Sequence, residues 1–426
     1  MWFKYRMEGS AAAPAPKLYY GWWIVFISAM GLFFSAPGQT YSNSVFIDHY
    51  IRDFGWSRSL VSGIYSGATL IAGVLLMLIG RLVDRWGQRR MMVVVGGMLA
   101  LSCFWNSVVF TPVMLFVGFL CARLFGQGSM TLVPNTLVPQ WFIKKRGRAL
   151  SLMMIGGFAG ATFAPMINAW LIDQWSWPVA WRVWGIALLL VFVPTAWVWV
   201  RNTPEEMGLL PDQSGARTSD SSEEEPEEES WTLREAMKTR SFWLILVCVS
   251  IPALVNTGLT FHLTSIFREQ GLGVSTAALV LGLMAFTGFP MTLVSGYIVD
   301  RFPVQRVLAG TFLIQLVFLV WVLQVHSPMA AIVFALLWGT CNGLEQIILS
   351  AIWPEYFGRR YLGSIRGVAM MMVVGSALGP LPFGVAFDHF GGYMEIIFLT
   401  CILPVIGFLA AALSPPPQKS AAAEKG

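Results

Sequence analysis

"GRLVDRWGQRR" runs from Gly80 to Arg90, and "GYIVDRFPVQR" from Gly296 to Arg306. Gly, Val, Asp, Arg and the final Arg coincide at an offset of 216 residues. Each copy closes a long apolar run and opens a charged turn. Such a pair, half a chain apart, means that the chain contains its own fold twice. A second pair supports the repeat. "WFIKKRGRALSLMMIGGFAG" (Trp141–Gly160) is matched by "YFGRRYLGSIRGVAMMMVVGSALG" (Tyr356–Gly379). The aromatic–Phe pair recurs at an offset of 215, and the small-xxx-small pairs Gly156/Gly160 and Gly375/Gly379 at 219.

Composition sets the medium around these signatures. Hydrophobic residues make up 56% of the chain and charged ones 12%, whereas a soluble domain carries about 25% charged residues. A helix needs about 20 apolar residues to cross a bilayer. Twelve such runs can be counted, at 21–47, 58–80, 91–110, 112–140, 148–172, 181–201, 241–267, 273–299, 306–325, 328–354, 363–387 and 392–414. The first run is too long for a signal peptide and is expected to stay as a span. The connections are short except at 202–240, where "SDSSEEEPEEES" (Ser219–Ser230) predicts a disordered acidic linker. The expected fold is therefore an all-α membrane protein of twelve transmembrane helices, arranged as two six-helix parallel repeats. Its parts are a tail (1–20), a bundle (21–201), the linker (202–240), a second bundle (241–414) and a tail (415–426).

Lys and Arg set the orientation. With the N-terminus inside, 23 of the 28 fall on the inner side, four on the outer (Arg52, Arg58, Arg182, Arg268), and Arg123 inside a span. Both termini are expected in the cytoplasm of a cell, most simply at a bacterial inner membrane. The net charge of +5 is then a topology signal and gives no reason to expect nucleic acid. The five Cys are at unrelated spacings in or beside apolar runs, so they suggest small buried hydrophobes and no metal site. No cofactor motif is present.

Over its whole length the chain resembles the major facilitator superfamily. "GRLVDRWGQRR" is similar to that family's loop 2–3 signature, with Gly80, Asp84, Arg85, Gly87 and Arg89 at matching places; in the second copy Pro303 replaces the Gly. Within the superfamily, "SAPGQTYSNSVF" (Ser35–Phe46), "FGWSRSLVSGIYS" (Phe54–Ser66) and "QWFIKKRGRALSLMMIGGFAG" resemble the bacterial oxalate/formate and monocarboxylate porters. The resemblance implies transport by rocking two halves around a midplane site. It also implies that spans one, four, seven and ten line a central cavity. Asp84, Arg85, Asp300 and Arg301 are candidate gating residues, pairing with helix ends across the two halves. The plainer alternative is that they only mark the inner side.

Polar residues concentrate in those four spans. Arg123, Gln127, Thr131 and Asn135 follow a spacing of four, which keeps them on one helical face. Span ten carries Asn342, Glu345 and Gln346, span seven Asn256, Thr257, Thr260 and His262, and span one Ser35, Gln39, Ser42 and Asn43. Polar side chains are costly against lipid, so these predict a water-accessible pathway. Gln39, Asn43, Arg123, Gln127, Thr131, Asn256, Asn342 and Gln346 are candidate substrate contacts, with Arg123 attracting an anion. Glu345 and His262 are candidate carriers of a coupling proton. Structural networks within the spans are the competing reading for both charged residues.

The leading expectation is a secondary active transporter, proton-coupled, for a small organic anion such as a monocarboxylate. Its partners would be substrate, proton and lipid bilayer, and it would act as a monomer. Two departures from the porter group weigh on the substrate. Span eight, "STAALVLGLMAFTGFPMTLVSGYIV" (Ser275–Val299), has no charge, and span eleven lacks a central Lys, which counts against a dicarboxylate. An efflux carrier for a hydrophobic or amphipathic compound is the alternative, although "GGFAGATFAP" (Gly156–Pro165) only partly matches the antiporter motif. A sensor that had lost transport would not need Asp and Arg in both signatures. No nucleophile–base set or Walker A pattern suggests an enzyme.

Overall fold

A computed structural model describes residues 19–212, 230–374 and 379–418. Gly375, most of both tails and the centre of the acidic linker lie outside them. The regular elements are helices. Among the described residues ten are long and apolar enough to cross a membrane, from Gly21–Ile47 to Met394–Ala412. Two further spans complete the repeat. Span three is Gln88–Asn106, which opens with Arg89 and Arg90. Span eleven comprises Leu362–Val374 and Pro380–Phe390.

Local chemistry explains where the helices start and stop. Ser57, Thr111, Thr239 and Ser327 accept the N–H three residues on, each capping a helix N-terminus. Gly55 and Gly391 end helices in the left-handed region, where a side chain would be strained. Two spans are broken at the same depth. Span one is an α-helix over Gly21–Phe34, a tight 3-10 turn over Ala36–Gly38, and a second α-helix over Thr40–Phe54. Span four is α-helical over Pro112–Cys121, widens into a π-helix over Ala122–Ser129, and resumes over Met130–Trp141. The two breaks nest. A Cβ on Gly38 would collide with Ala122 O, and one on Gly126 would sit 2.6 Å from Gly38 Cα. Only glycines allow backbone to meet backbone there.

Four expectations need correction. The four-residue spacing of Arg123, Gln127 and Thr131 does not run along a regular α-helix, because Ala122–Ser129 is wound as a π-helix. The signature Asp84 is not in a loop. It lies in the last turn of the helix Arg58–Trp86, and Gly87 (φ +80°) alone separates that helix from Gln88–Asn106. Arg366, one of the 23 basic residues assigned to the inner side, is buried in Leu362–Val374, where its guanidinium donates to Ser350 O at 2.8 Å. The linker is folded at both described ends. Pro204–Met207 forms a 3-10 turn, and a capping box at Thr232 and Glu235 starts the short helix Leu233–Ala236.

Candidate functional site

The two signatures lie at one end of the bundle, here the signature end, and there the halves are fastened together. The Asp84 carboxylate accepts from Gly363 N (2.7 Å) and Ser364 N (2.6 Å), first-turn N–H groups at the start of span eleven. Asp300 accepts from Gly147 N (2.6 Å), Arg148 N (3.3 Å) and Arg148 Nε (3.0 Å) at the start of span five. An anion at a helix N-terminus satisfies donors that the helix cannot, and it faces the positive end of the dipole. Each contact sits on a close backbone approach. A Cβ on Gly80 would collide with Gly363 O, and one on Gly147 with Gly296 O. Burial pushes the Asp300 carboxyl above its ordinary value, and the Gly147 and Arg148 donors pull it part of the way back. Of the predicted gating residues, Arg85 is exposed and Arg301 stacks on Tyr297 of its own half at 4.2 Å.

A third fastening was not legible in the sequence. Gln140 Nε2 donates to Arg359 O and Arg359 Nη1 to Gln140 O, both at 2.6 Å. The ends of spans four and ten thus meet reciprocally. Deeper in, Phe158 of span five and Phe289 of span eight meet edge to face at 5.0 Å.

The predicted substrate and proton residues fall into separate groups. Arg123 is 6% exposed at the crossing of the two broken spans. Its Nη1 donates to Gly38 O (3.1 Å) and Thr40 Oγ1 (3.2 Å), its Nε donates to Thr69 Oγ1 (3.0 Å), and its guanidinium lies 5.0 Å over the Tyr65 ring. No carboxylate is among these partners. Asn43 is buried and donates to Pro37 O and Gln39 O, while Gln39 donates to Ser35 Oγ. Asn43 therefore closes the break in span one, and Gln39 is half-buried beside it. Gln127 and Thr131 are half-buried on span four, and Thr131 Oγ1 donates to Gln127 O.

On the other half, Asn256 Nδ2 donates to Asn342 Oδ1 (2.7 Å), Trp338 Nε1 donates to Asn256 Oδ1 (2.5 Å), and Asn342 Nδ2 faces Met284 Sδ (3.4 Å). These bonds turn the Asn342 face of span ten towards span seven, and Gln346, one turn on, is exposed. Glu345 points elsewhere. Its carboxylate is buried against Cys341 Sγ (3.2 Å), whose other contact is Thr311 O of span nine. His262 joins spans seven and eleven, stacked on Phe383. Pro380 O, 3.1 Å from Nε2, can only accept, so Nε2 donates to it, and in a neutral ring Nδ1 accepts from the Tyr393 hydroxyl. The structure thus gathers Asn43 and Arg123 in one place and Asn256 and Asn342 in another. It does not bring Glu345 to His262 or to Arg123.

Comparison with known proteins accords with this geometry. A family model described as Major Facilitator Superfamily matches residues 22–380. The glucose transporter GlcP of Staphylococcus epidermidis is 26% identical, over 82% of this chain and 82% of its own. The 4-hydroxybenzoate transporter PcaK of Acinetobacter baylyi is 25% identical, over 93% and 90%. The solved structure of the transporter FucP in the outward conformation superposes with a TM-score of 0.68 at 14% identity, covering 94% of this chain and 100% of that one.

Proposed function

The chain belongs to the Major Facilitator Superfamily, and on that premise we propose a proton-coupled transporter of a small organic anion such as a monocarboxylate, working by alternating access. Its family and its relatives make it a secondary transporter and not an enzyme. The observation that carries the finer reading is Arg123. A buried guanidinium with no carboxylate partner among the described residues sits where two helices are interrupted, beside the N-terminus of Thr40–Phe54. Cation and helix dipole both favour a negative group at that point. Gln39, Gln127 and Thr131 would contact the substrate from this wall, and Asn256, Asn342 and Gln346 from the other.

Glu345 and His262 remain the proposed proton carriers, in different places. A carboxylate buried without a cation is costly when charged, which favours exchange with a proton over a permanent charge. The Lys and Arg distribution supports a signature end facing the cytoplasm; a monomer in a bacterial inner membrane completes the proposal. PcaK is named for a carboxylate, which is in keeping with an anionic substrate. The uncharged span eight favours the second reading, efflux of an amphipathic compound.

Counterflow in proteoliposomes tests this. Labelled monocarboxylates, including hydroxybenzoate, would be compared with sugars, amino acids and dyes, with and without a pH gradient. Exchange of a carboxylate that Arg123→Gln weakens through KM supports the reading. Exchange of sugars or dyes alone overturns it. Loss of folded protein in Arg123→Gln with unchanged KM would reduce Arg123 to a brace.

A further inference from the structure

The first residues after span six do more than connect the halves. The Asp212 carboxylate accepts three consecutive backbone N–H groups: Ile143 N (2.7 Å) and Lys144 N (2.5 Å) on Oδ2, and Lys145 N (3.0 Å) on Oδ1. Asp212 N donates in return to Trp141 O. The Asp212 backbone has φ +59°, the only non-glycine among the described residues in the left-handed region. Asp tolerates that region better than most residues, so the chain turns sharply here to aim the carboxylate. The preceding residues are fastened too. Tyr19 Oη, buried against Trp141 and Phe142, lies within bonding distance of Trp141 O and Leu210 O. Glu205 reaches across to Arg359 of the other half at 3.8 Å.

The turn so held is the one that precedes Gly147 and Arg148, the donors that Asp300 receives. We propose that Asp212 is a positioning residue of the Asp300 gate. By holding the N–H groups of 143–145 in one register, it presents those of 147 and 148 to the opposite half. Asp212 and the turn belong to the same half, so the clasp moves with it as a unit and acts only through Asp300. The matching turn after span ten is fastened differently, by Trp231 N donating to Phe357 O. The inference rests on the alternating-access reading and is independent of the substrate.

The test uses the full chain in proteoliposomes, with spin labels at Val113 and Met329. These exposed residues lie at the far end of spans four and ten and are related by the repeat. Cys121 and Cys401, the two native cysteines that are not fully buried, are changed to Ser. Distances between the labels report how far the end opposite the signatures is open. Asp212→Gly removes the carboxylate without straining a positive φ, and Asp212→Asn keeps one acceptor oxygen. The expected result is a shift of roughly threefold to tenfold towards short distances in Asp212→Gly, smaller in Asp212→Asn. A smaller further shift, less than additive, is expected when Asp212→Gly is added to Asp300→Asn, which keeps only one acceptor. A lower melting temperature with an unchanged distance distribution would overturn the proposal, as would additive shifts in the double variant. If Asp300→Asn itself shifts nothing, the gating reading fails first; if only Asp212→Gly shifts nothing, this inference alone fails.

Discussion

The Asp84 and Asp300 contacts between the halves, which we propose as gates, use the same parts at one offset: Gly80 and Gly296, Asp84 and Asp300, Gly147 and Gly363, each pair 216 residues apart. In both, a carboxylate takes two N–H groups from a helix N-terminus over a glycine contact. They differ in the residue after the second glycine. Arg148 adds a cation to the Asp300 gate, where Ser364 offers the Asp84 gate a neutral hydroxyl. The parts shared between the halves are thus backbone and carboxylate. The part that differs is a side chain that is 45% exposed, paired with a carboxylate that is 3% exposed; water screens the Arg148 end, so the pair is worth about 1 kcal/mol or less. The ranking of effects should follow that division.

Glycine substitution should act most strongly. In Gly147→Val or Gly363→Val the new side chain meets the carbonyl of Gly296 or Gly80. Overpacking of this kind costs about 1–3 kcal/mol, or roughly 5- to 150-fold in the equilibrium towards a closed signature end. The far-end distance pair and exchange rates would measure it. Equal losses in the two variants fit a symmetric gate, and a loss confined to one would break the symmetry.

Carboxylate removal comes next. Asp84→Asn and Asp300→Asn each keep one acceptor oxygen and lose the other, together with the charge at the helix N-terminus. Hydrogen bonds to a charged group are worth about 1.5–3 kcal/mol, so each variant should shift the same equilibrium by roughly tenfold. Unchanged uptake in Asp84→Asn at normal surface abundance would remove that gate from the mechanism. Arg148→Ser, which gives the second gate the residue type of the first, should shift it less than about threefold.

The difference between these parts also explains what could be read from the sequence. Apolar length and repeated Gly, Asp and Arg are side-chain information, so the twelve runs and both signatures were visible. The partners that Asp84 and Asp300 share are main-chain N–H groups, which every residue except proline carries. Only Gly147 and Gly363, sharing the offset of 216, hinted at them. Gln140 and Arg359 bond through each other's carbonyls and left no pattern. "SAPGQTYSNSVF" was legible as a polar half-span, but its cause was not. Its Ser35, Gln39 and Asn43 bonds close a break that nests in the π turn of span four, and a π turn has no composition of its own. Glu345 shares a helix with Asn342 and Gln346, yet the step of three from Asn342 turns it towards span nine, where Cys341 and Thr311 lie. Spacing placed it in the right span and could not say which neighbour it faced.

The smallest effect concerns pH, and it separates burial from hydrogen bonding at Asp300. With the signature end closed, burial outweighs the Gly147 and Arg148 donors and holds the carboxyl above its ordinary 3.8. With that end open, the group is in water and returns to its ordinary value. The closed state therefore binds more protons, so acidification favours it. The advantage is complete below about pH 4 and is lost as the pH rises through the raised value. Arg148 is the charged group whose guanidinium faces Asp300, and its pull lowers the shift. Removing that pull in Arg148→Ser should extend the pH dependence upwards, and Asp300→Asn should abolish this contribution. The far-end label distances, followed from pH 4 to 7 in the three proteins, would show the direction of this dependence. A dependence of opposite sign would mean that the helix N–H groups outweigh burial, and that the gate is held by a charge that acid releases.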